Sequence, residues 1–219
     1  RWIKLPSPHS TVTPGDAKPD LDKLLTISIR CKLYTKYSQL LATGEPDHNI
    51  TTDASGVDGI GGYLGMPTDM KKGASWFFTT PLKPHQRPET TDSVTCMAML
   101  ELAGLYFALT VADKQLDGCL VKWYTDSEVG CTIWNKQSSN HIPTNNTVIL
   151  IATHCVMHNI NIITHWVPRT QIVAADLLTH ALVKQFCELQ GVSEDSQRTV
   201  QKKATKALEK LCHPSQAAN

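Results

Sequence analysis

The stretch Val94–Ala112, VTCMAMLELAGLYFALTVA, decides which kind of fold this chain can adopt. It is long enough for about five helical turns and contains a single charged residue, Glu101. Because a glutamate and two further threonines interrupt the apolar run, we predict a buried core helix rather than a membrane span. Burying a lone carboxylate costs several kcal/mol unless a cation neutralises it. Since this helix has no lysine or arginine, Glu101 predicts a cation from outside the chain.

Short apolar and β-branched runs bounded by turn residues lie on both sides of this helix and predict strands. Glycine-containing turns separate the three runs before the helix, which indicates an antiparallel meander. The runs after the helix alternate with helical segments, which indicates parallel pairing. We therefore predict an α/β fold with a mixed five-stranded sheet, three antiparallel strands followed by two parallel ones, and helices on both faces. The predicted strands are 49–53, 60–65, 74–79, 120–126 and 160–167, and the further helices are 127–134, 147–158 and 172–189.

Acidic residues occupy the ends of these predicted elements. Asp53 and Asp126 each end a strand, and Asp176 opens the last helix. Neighbouring strands lie about 5 Å apart, and open α/β sheets bind ligands where strands end and connections diverge. A helix packed on the sheet can bring Glu101 to the same place. The sequence thus predicts a four-carboxylate site.

Four ionised carboxylates at one place repel each other, and that repulsion raises their pKa values unless cations are present. Hard divalent cations prefer oxygen ligands, so we expect two Mg²⁺ ions, for which Mn²⁺ can substitute. Two such ions can activate a water and stabilise a leaving oxygen in phosphodiester cleavage. In that scheme Asp53 bridges both ions, Glu101 and Asp126 hold the ion near the leaving 3′ oxygen, and Asp176 holds the ion that activates water.

Charge is spread unevenly along the chain. Residues 46–189 hold nine Lys/Arg and thirteen Asp/Glu, a net of −4, whereas residues 1–45 and 190–219 are both net positive. The first segment is also rich in proline, which excludes a long helix at its start. We predict a linker or docking segment over 1–47, one domain over 48–189, and a polar, lysine-rich tail or linker over 190–219 that contains a short amphipathic helix from Val200 to Leu211.

The seven cysteines are scattered and show no C-x-x-C spacing. This argues against a disulfide framework and a structural zinc site. We therefore expect an intracellular protein, cytoplasmic or nuclear, with no membrane association. His154 and His158 stand four residues apart, but no glutamate lies between them and no third zinc ligand is apparent, so we expect a structural pair.

Four short motifs surround the four acids. They are Thr52-Asp53-Ala54-Ser55 with Gly59-x-Gly61-Gly62, Leu100-Glu101-Leu102-Ala103, Tyr124-Thr125-Asp126-Ser127, and Trp166-Val167-Pro168-Arg169 with Ala174-Ala175-Asp176-Leu177-Leu178. In this order they resemble the motifs of the type 1 ribonuclease H family. The resemblance covers residues 48–188 and is closest to the domains that retroelements fuse to a reverse transcriptase, the DIRS-like type above all.

The resemblance implies a ribonuclease H-like fold and a metal-dependent endonuclease that cleaves the RNA strand of RNA–DNA hybrids. It also implies a reverse transcriptase domain in the same polyprotein as partner. Reading a hybrid requires contacts to 2′-hydroxyls and phosphates, for which Ser127, Trp134, Asn135 and Arg169 are the candidates. Trp123 and Trp166 are predicted to be core residues.

The chain departs from the family pattern in two places. No histidine lies between Trp166 and Asp176, where cellular members carry one, and Arg169 is its possible substitute. The segment 127–165 also lacks a basic handle, since it contains one lysine, Lys136. We therefore expect weak activity from this domain alone.

Two other functions stay open at this point. One is a catalytically degenerate domain of the same fold that serves as a scaffold or binding surface. The other is a transposase or integrase, a class whose last acid is usually a glutamate on a late helix, whereas the last predicted helix here has Asp176 at its start and Glu188 far along it. The sequence leaves the oligomeric state undetermined.

Overall fold

A computed structural model describes residues 44–67, 72–84 and 94–212 of the chain. Five of its strands form one sheet in the order β3-β2-β1-β4-β5. β1 pairs antiparallel with β2, and β2 with β3, whereas β4 is parallel to both β1 and β5. The predicted α/β class and mixed sheet are therefore confirmed. The strands are β1 (His48–Ala54), β2 (Gly59–Leu64), β3 (Phe77–Pro81), β4 (Leu120–Thr125) and β5 (Asn161–Trp166).

Six α-helices accompany the sheet in the described part of the chain. They are α1 (Val94–Ala112), α2 (Glu128–Lys136), α3 (Ile142–His158), α4 (Val173–Thr179), α5 (Val183–Gln190) and α6 (Lys202–Cys212). α3 begins five residues earlier than predicted, because Pro143 sits in its first turn, where the missing N–H costs no hydrogen bond.

The helices cover both faces of the sheet. Neighbouring residues on a strand point to opposite faces, and in β4 Trp123 and Tyr124 belong to two different hydrophobic cores. The larger core contains residues of α1, α3 and α6. The smaller core contains residues of α4 and α5. This arrangement confirms the predicted helices on both faces.

α1 lies against β1 and β2 and is almost entirely buried. Residues 96–116 are long and apolar enough to cross a membrane by composition, but 83% of the most apolar window is buried within the protein. Such burial is typical of a core helix.

The predicted single helix over 172–189 is wrong in one respect, since the structure divides it into α4 and α5. Ala181 between them has a φ of 55°, a left-handed conformation that ends a helix and that residues other than glycine seldom adopt. Ala181 N–H instead donates to the carbonyl of Leu178, and Leu182 N–H to that of Leu177. No glycine or proline lies between α4 and α5 to indicate this break in the sequence.

Residues 190–212 are not a tail, which corrects the predicted boundary at 189. Gln197 forms a parallel bridge with Phe77 of β3, and Arg198 N–H donates to the Phe77 carbonyl. α6 then packs on α1 and α3 and places Ala204 and Leu208 in the larger core. The predicted amphipathic helix thus exists, but as part of the domain. Of the predicted segment 1–47, residues 1–43 lie outside the described residues.

A glycine on β2 brings α4 close to the sheet. A Cβ on Gly61 would lie 2.4 Å from the Cβ of Leu178 and 2.8 Å from the Thr179 nitrogen. Any larger residue would therefore push α4 outward. Thr79 Oγ1 donates to the Leu178 carbonyl at 2.6 Å and fixes the same helix to β3. The short glycine-rich strand thus sets the position of the helix that carries Asp176.

Candidate metal centre

Asp53 and Asp126 come together because their strands are parallel neighbours. Thr51 of β1 is in register with Tyr124 of β4, and both Asp53 and Asp126 lie two residues beyond this last registered pair. β1 is the central strand, so Asp53 is only 3% exposed. Asp126 follows the last residue of β4 and is half-buried. The sheet alone therefore pairs two of the four predicted carboxylates.

Glu101 reaches this pair from α1. One carboxylate oxygen from each of Asp53, Glu101 and Asp126 can be chosen so that all three lie within 4.8 Å of one another. Glu101 is 5% exposed, and its carboxylate accepts a hydrogen bond from Thr125 Oγ1 at 3.4 Å. Three of the four residues selected from the sequence thus converge, from two strands and one helix.

Burial and mutual repulsion disfavour the ionised forms of the three carboxylates when no cation is bound. Burial raises the pKa of Asp53 to about 7, and the charges of Asp126 and Asp176 add to that rise. Burial also raises the pKa of Glu101 well above its usual value, with further contributions from Asp53 and Asp126. The pKa of Asp126 is raised as well, mainly by burial. A divalent cation would reverse these shifts, because it favours the ionised forms.

Asp176 lies beside the three-carboxylate cluster but is not one of its members. It comes from α4 on the opposite face of the sheet, and its charge raises the pKa of both Asp53 and Asp126. Its Oδ1 lies 3.1 Å from a guanidinium nitrogen of Arg169. Arg169 in turn lowers the pKa of Asp53 and Asp126. The protein therefore supplies its own positive charge on this side of the site.

His180 is a neighbour of the site that the sequence did not single out. Its Nδ1 lies 3.2 Å from the Asp58 carboxylate and its Nε2 3.9 Å from that of Asp176. Ser55 Oγ donates to the same Asp58 carboxylate at 3.0 Å. The spacing of four residues from Asp176, one helical turn, was the available signal.

Two tryptophans, Trp134 and Trp166, show the reverse of their predicted burial. Trp134 was the candidate for contact with bases, but it is 3% exposed and packs in the larger core. That prediction is wrong, because a buried ring cannot stack on a base. Trp166, predicted to be in the core, is 50% exposed at the end of edge strand β5. Its Nε1 donates to the Asp126 carbonyl at 3.0 Å, so an exposed aromatic ring stands directly beside the acids.

The other substrate-binding candidates have local structural partners. Ser127 caps α2 by accepting a hydrogen bond from Gly130 N–H. Asn135 is exposed and accepts from Thr164 Oγ1 at 3.1 Å. Arg169 is 74% exposed despite its ion pair with Asp176. Their predicted contact with substrate stays a prediction.

The donor set fits a hard divalent cation. All three converging ligands are carboxylates, which suit Mg²⁺ or Mn²⁺ better than softer metals. Asp53, Glu101 and Asp126 could hold one ion, and Asp176 is close enough for its charge to raise the pKa of Asp53 and Asp126. The half-buried Asp126 and exposed Arg169 leave the site open to solvent and to a large substrate.

No family model matches this chain, and no curated protein is a significant match to it. The geometry of the acidic site therefore carries the assignment of function.

Proposed function

We propose that this chain has a ribonuclease H-like fold and is a metal-dependent endonuclease that cleaves the RNA strand of RNA–DNA hybrids. Asp53, Glu101, Asp126 and Asp176 are its proposed active-site carboxylates. The strand order, with three antiparallel strands followed by two parallel ones, supports the proposal. So does the position of the four motif acids around one end of β1 and β4.

The observation that carries the proposal is the buried cluster of Asp53, Glu101 and Asp126. A cluster of this kind has no structural benefit, because desolvation and mutual repulsion both destabilise it. No Lys or Arg among the described residues forms a salt bridge with any of the three. Binding a divalent cation removes the repulsion and gives the cluster a chemical role.

Each residue has a separate task in the proposed reaction. When bound, the metal ions supply an activated water and stabilise the leaving oxygen. Asp53 and Glu101, both buried, hold their carboxylates in fixed positions, and Thr125 orients Glu101 through its hydroxyl. Asp126 faces the open side. Arg169, exposed beside Asp176, is suited to contact a scissile or neighbouring phosphate.

The proposed partner is a reverse transcriptase domain in the same polyprotein, which would deliver the hybrid. Residues 46–189 carry a net charge of −4, an unfavourable balance for gripping nucleic acid, since phosphate contacts supply most of the affinity. A fused polymerase domain would compensate. We accordingly expect slow turnover by the chain alone.

The test is a cleavage assay on end-labelled RNA–DNA hybrid, duplex DNA and duplex RNA, each with Mg²⁺, with Mn²⁺ or with EDTA. We expect metal-dependent cleavage of the hybrid, in its RNA strand, and loss of that cleavage in Asp126→Asn. The matched control is Asp113→Asn, which also removes a carboxylate. Asp113 is exposed, and its φ of 51° suits asparagine, a residue that tolerates left-handed backbone.

The outcomes separate the alternatives. Cleavage of the hybrid that survives Asp126→Asn would exclude these acids as its active site. Binding without cleavage under every metal condition would favour a degenerate scaffold. Cleavage of duplex DNA but not of hybrid would favour a transposase or integrase. Against that last function, Glu188 is exposed on α5 and does not belong to the three-carboxylate cluster.

A further inference from the structure

The C-terminal helix carries a concentrated positive stripe on a domain whose other charges are mostly negative. α6 contains four lysines and one glutamate. With about 100° of rotation per residue, the four lysines fall within an arc of about 100° on its surface. All four are exposed. We call this stripe the lysine face of α6; it consists of Lys202, Lys203, Lys206 and Lys210.

The lysine face is not used for packing or ion pairing within the described residues. The opposite side of α6 packs through Ala204, Leu208 and Leu211 on the larger core. The salt bridges of the described part of the chain involve the side chains of His158, Arg169 and His180, and none of the lysines of α6. Four exposed cations on one helical face are therefore available to an external anion.

We propose that the lysine face of α6 is a binding surface for the phosphate backbone of nucleic acid. Lys202, Lys206 and Lys210 follow one another at intervals of four residues, about 6 Å along the helix axis. They form a line of charges about 12 Å long, which suits a linear polyanion. This inference rests on the proposed function only for the identity of the nucleic acid as the enzyme's substrate.

α6 begins beside the end of α1, the helix that carries Glu101. Gln201, just before α6, donates to the Thr110 carbonyl near the end of α1 at 3.1 Å. Thr110 is nine residues from Glu101, about 14 Å along the helix. A duplex covers that length with about four base pairs. The proposal, where it concerns the substrate, requires one hybrid to contact α6 and to present a phosphodiester bond to the carboxylates.

An anionic membrane is a poorer partner for the same lysines. Helices that lie on membranes insert an apolar face below the headgroups. The apolar side of α6 is already packed on the core, where Ala204 is 0% and Leu208 3% exposed. Charge is thus the only attraction that α6 offers, and nucleic acid presents the denser line of charge.

The test compares two triple variants with equal loss of charge. The first is Lys202→Gln with Lys206→Gln and Lys210→Gln. Lys203 is left in place because its charge lowers the pKa of His154. The control is Lys72→Gln with Lys114→Gln and Lys184→Gln, three exposed lysines outside α6. Glutamine has nearly the same helix propensity as lysine, so circular dichroism should show unchanged thermal midpoints.

Binding is measured by fluorescence anisotropy on a labelled RNA–DNA hybrid in EDTA, where no cleavage occurs, over a series of salt concentrations. For the α6 variant we expect the plot of log affinity against log salt to become less steep by about two to three, because each lost phosphate contact removes about 0.9. The control should change the slope by less than one.

Three results would exclude the lysine face as a surface for nucleic acid. The first is an equal slope for the two triple variants, and the second is no binding of the hybrid by the unmodified chain. The third is an α6 variant that loses binding to phosphatidylserine vesicles but binds nucleic acid unchanged. If the chain cleaves the hybrid and the salt dependence of binding is unaltered in the α6 variant, the proposed binding surface is excluded and the proposed function is retained. An altered slope in a chain that never cleaves would support the surface and count against the proposed enzyme.

Discussion

Glu101 and Asp176 both reach the acidic site from helices packed on the sheet, but from opposite faces and into different surroundings. Glu101 is buried in α1, where its nearest charged neighbours are Asp53 and Asp126. Asp176 is half-buried in α4, paired with Arg169 and 3.9 Å from His180. Arg169 offsets the charge of Asp176, whereas no Lys or Arg among the described residues forms a salt bridge with Glu101, for which the proposed metal ion is the counter-charge. Substitutions around Glu101 should therefore change metal binding strongly, and substitutions around Asp176 only weakly.

The largest expected effect comes from Glu101→Gln, which removes the buried negative charge but keeps the shape of the side chain. We expect hybrid cleavage by the variant to fall by more than about 100-fold. That factor is the upper end of the loss caused by substituting residues that contact a metal ligand rather than the metal itself. In EDTA its thermal midpoint should rise, by about 2–4 °C for each 1 kcal/mol of relieved repulsion. Differential scanning fluorimetry and the cleavage assay measure both.

The same variant separates metal binding from stability. Mg²⁺ at 100 times its dissociation constant should stabilise the unmodified protein by about 2.7 kcal/mol, and Glu101→Gln should lose most of that gain. Glu188→Gln, a substitution at an exposed position of α5, is the control and should keep it. A full Mg²⁺ shift in Glu101→Gln would show that Glu101 is not a ligand.

An intermediate effect is expected from pH in the absence of metal. The pKa of Asp53 rises from 3.8 to about 7 on folding, so the native state binds more protons than the unfolded chain between these values. Stability should therefore fall as pH rises from about 4 to 7. We expect at least about 1 kcal/mol, the equivalent of one pKa unit, in urea unfolding with EDTA.

Asp53→Asn is the matched variant for this pH dependence. Because its amide does not titrate, the decline of its stability with rising pH should be shallower than in the unmodified protein. Saturating Mg²⁺ should flatten the decline in the unmodified protein only. Parallel curves for the two proteins in EDTA would contradict the assignment of the pH dependence to the acidic cluster.

The smallest effect is expected on the other side of the site, from Arg169→Gln. Removing a cation that lowers the pKa of Asp53 and Asp126 should strengthen Mn²⁺ binding by a factor of about 1.4 to 5, equivalent to the roughly 0.2–1 kcal/mol of an exposed ion pair. Isothermal titration calorimetry measures this, with Lys136→Gln as the control. Weaker Mn²⁺ binding in Arg169→Gln would reverse the proposed contrast between the two acids.

The sequence predicted what depends on strand ends and on the burial of a single charge. Asp53 and Asp126 converge because both close parallel strands that are neighbours in register, and Glu101 was recognisable as the only charge in α1. These signals are local, so one sequence suffices to find them. The five strands and their mixed antiparallel and parallel pairing followed from turn residues and from alternation between strands and helices.

The sequence did not predict what depends on distant contacts. The amphipathic helix α6 was predicted, but its packing was not, because the partners of Ala204 and Leu208 lie far away in the sequence, on α1 and α3. The break before α5 at Ala181 has no glycine to announce it. The predicted burial of Trp134 and of Trp166 was the reverse of what the structure shows, because the burial of a ring depends on which distant residues cover it. Trp166 ends an edge strand, and its indole N–H meets a carbonyl beyond β4.

The parallel bridge between Phe77 and Gln197 joins residues 120 positions apart in the chain. During synthesis on a ribosome, a nascent chain that has not yet reached residue 197 would have the outer edge of β3 unpaired at this point and the groove between α1 and α3 uncovered. Closure of such a distant loop carries an entropic cost that late contacts must repay. A chain that ended before α6 would therefore expose the part of the larger core that Ala204 and Leu208 cover.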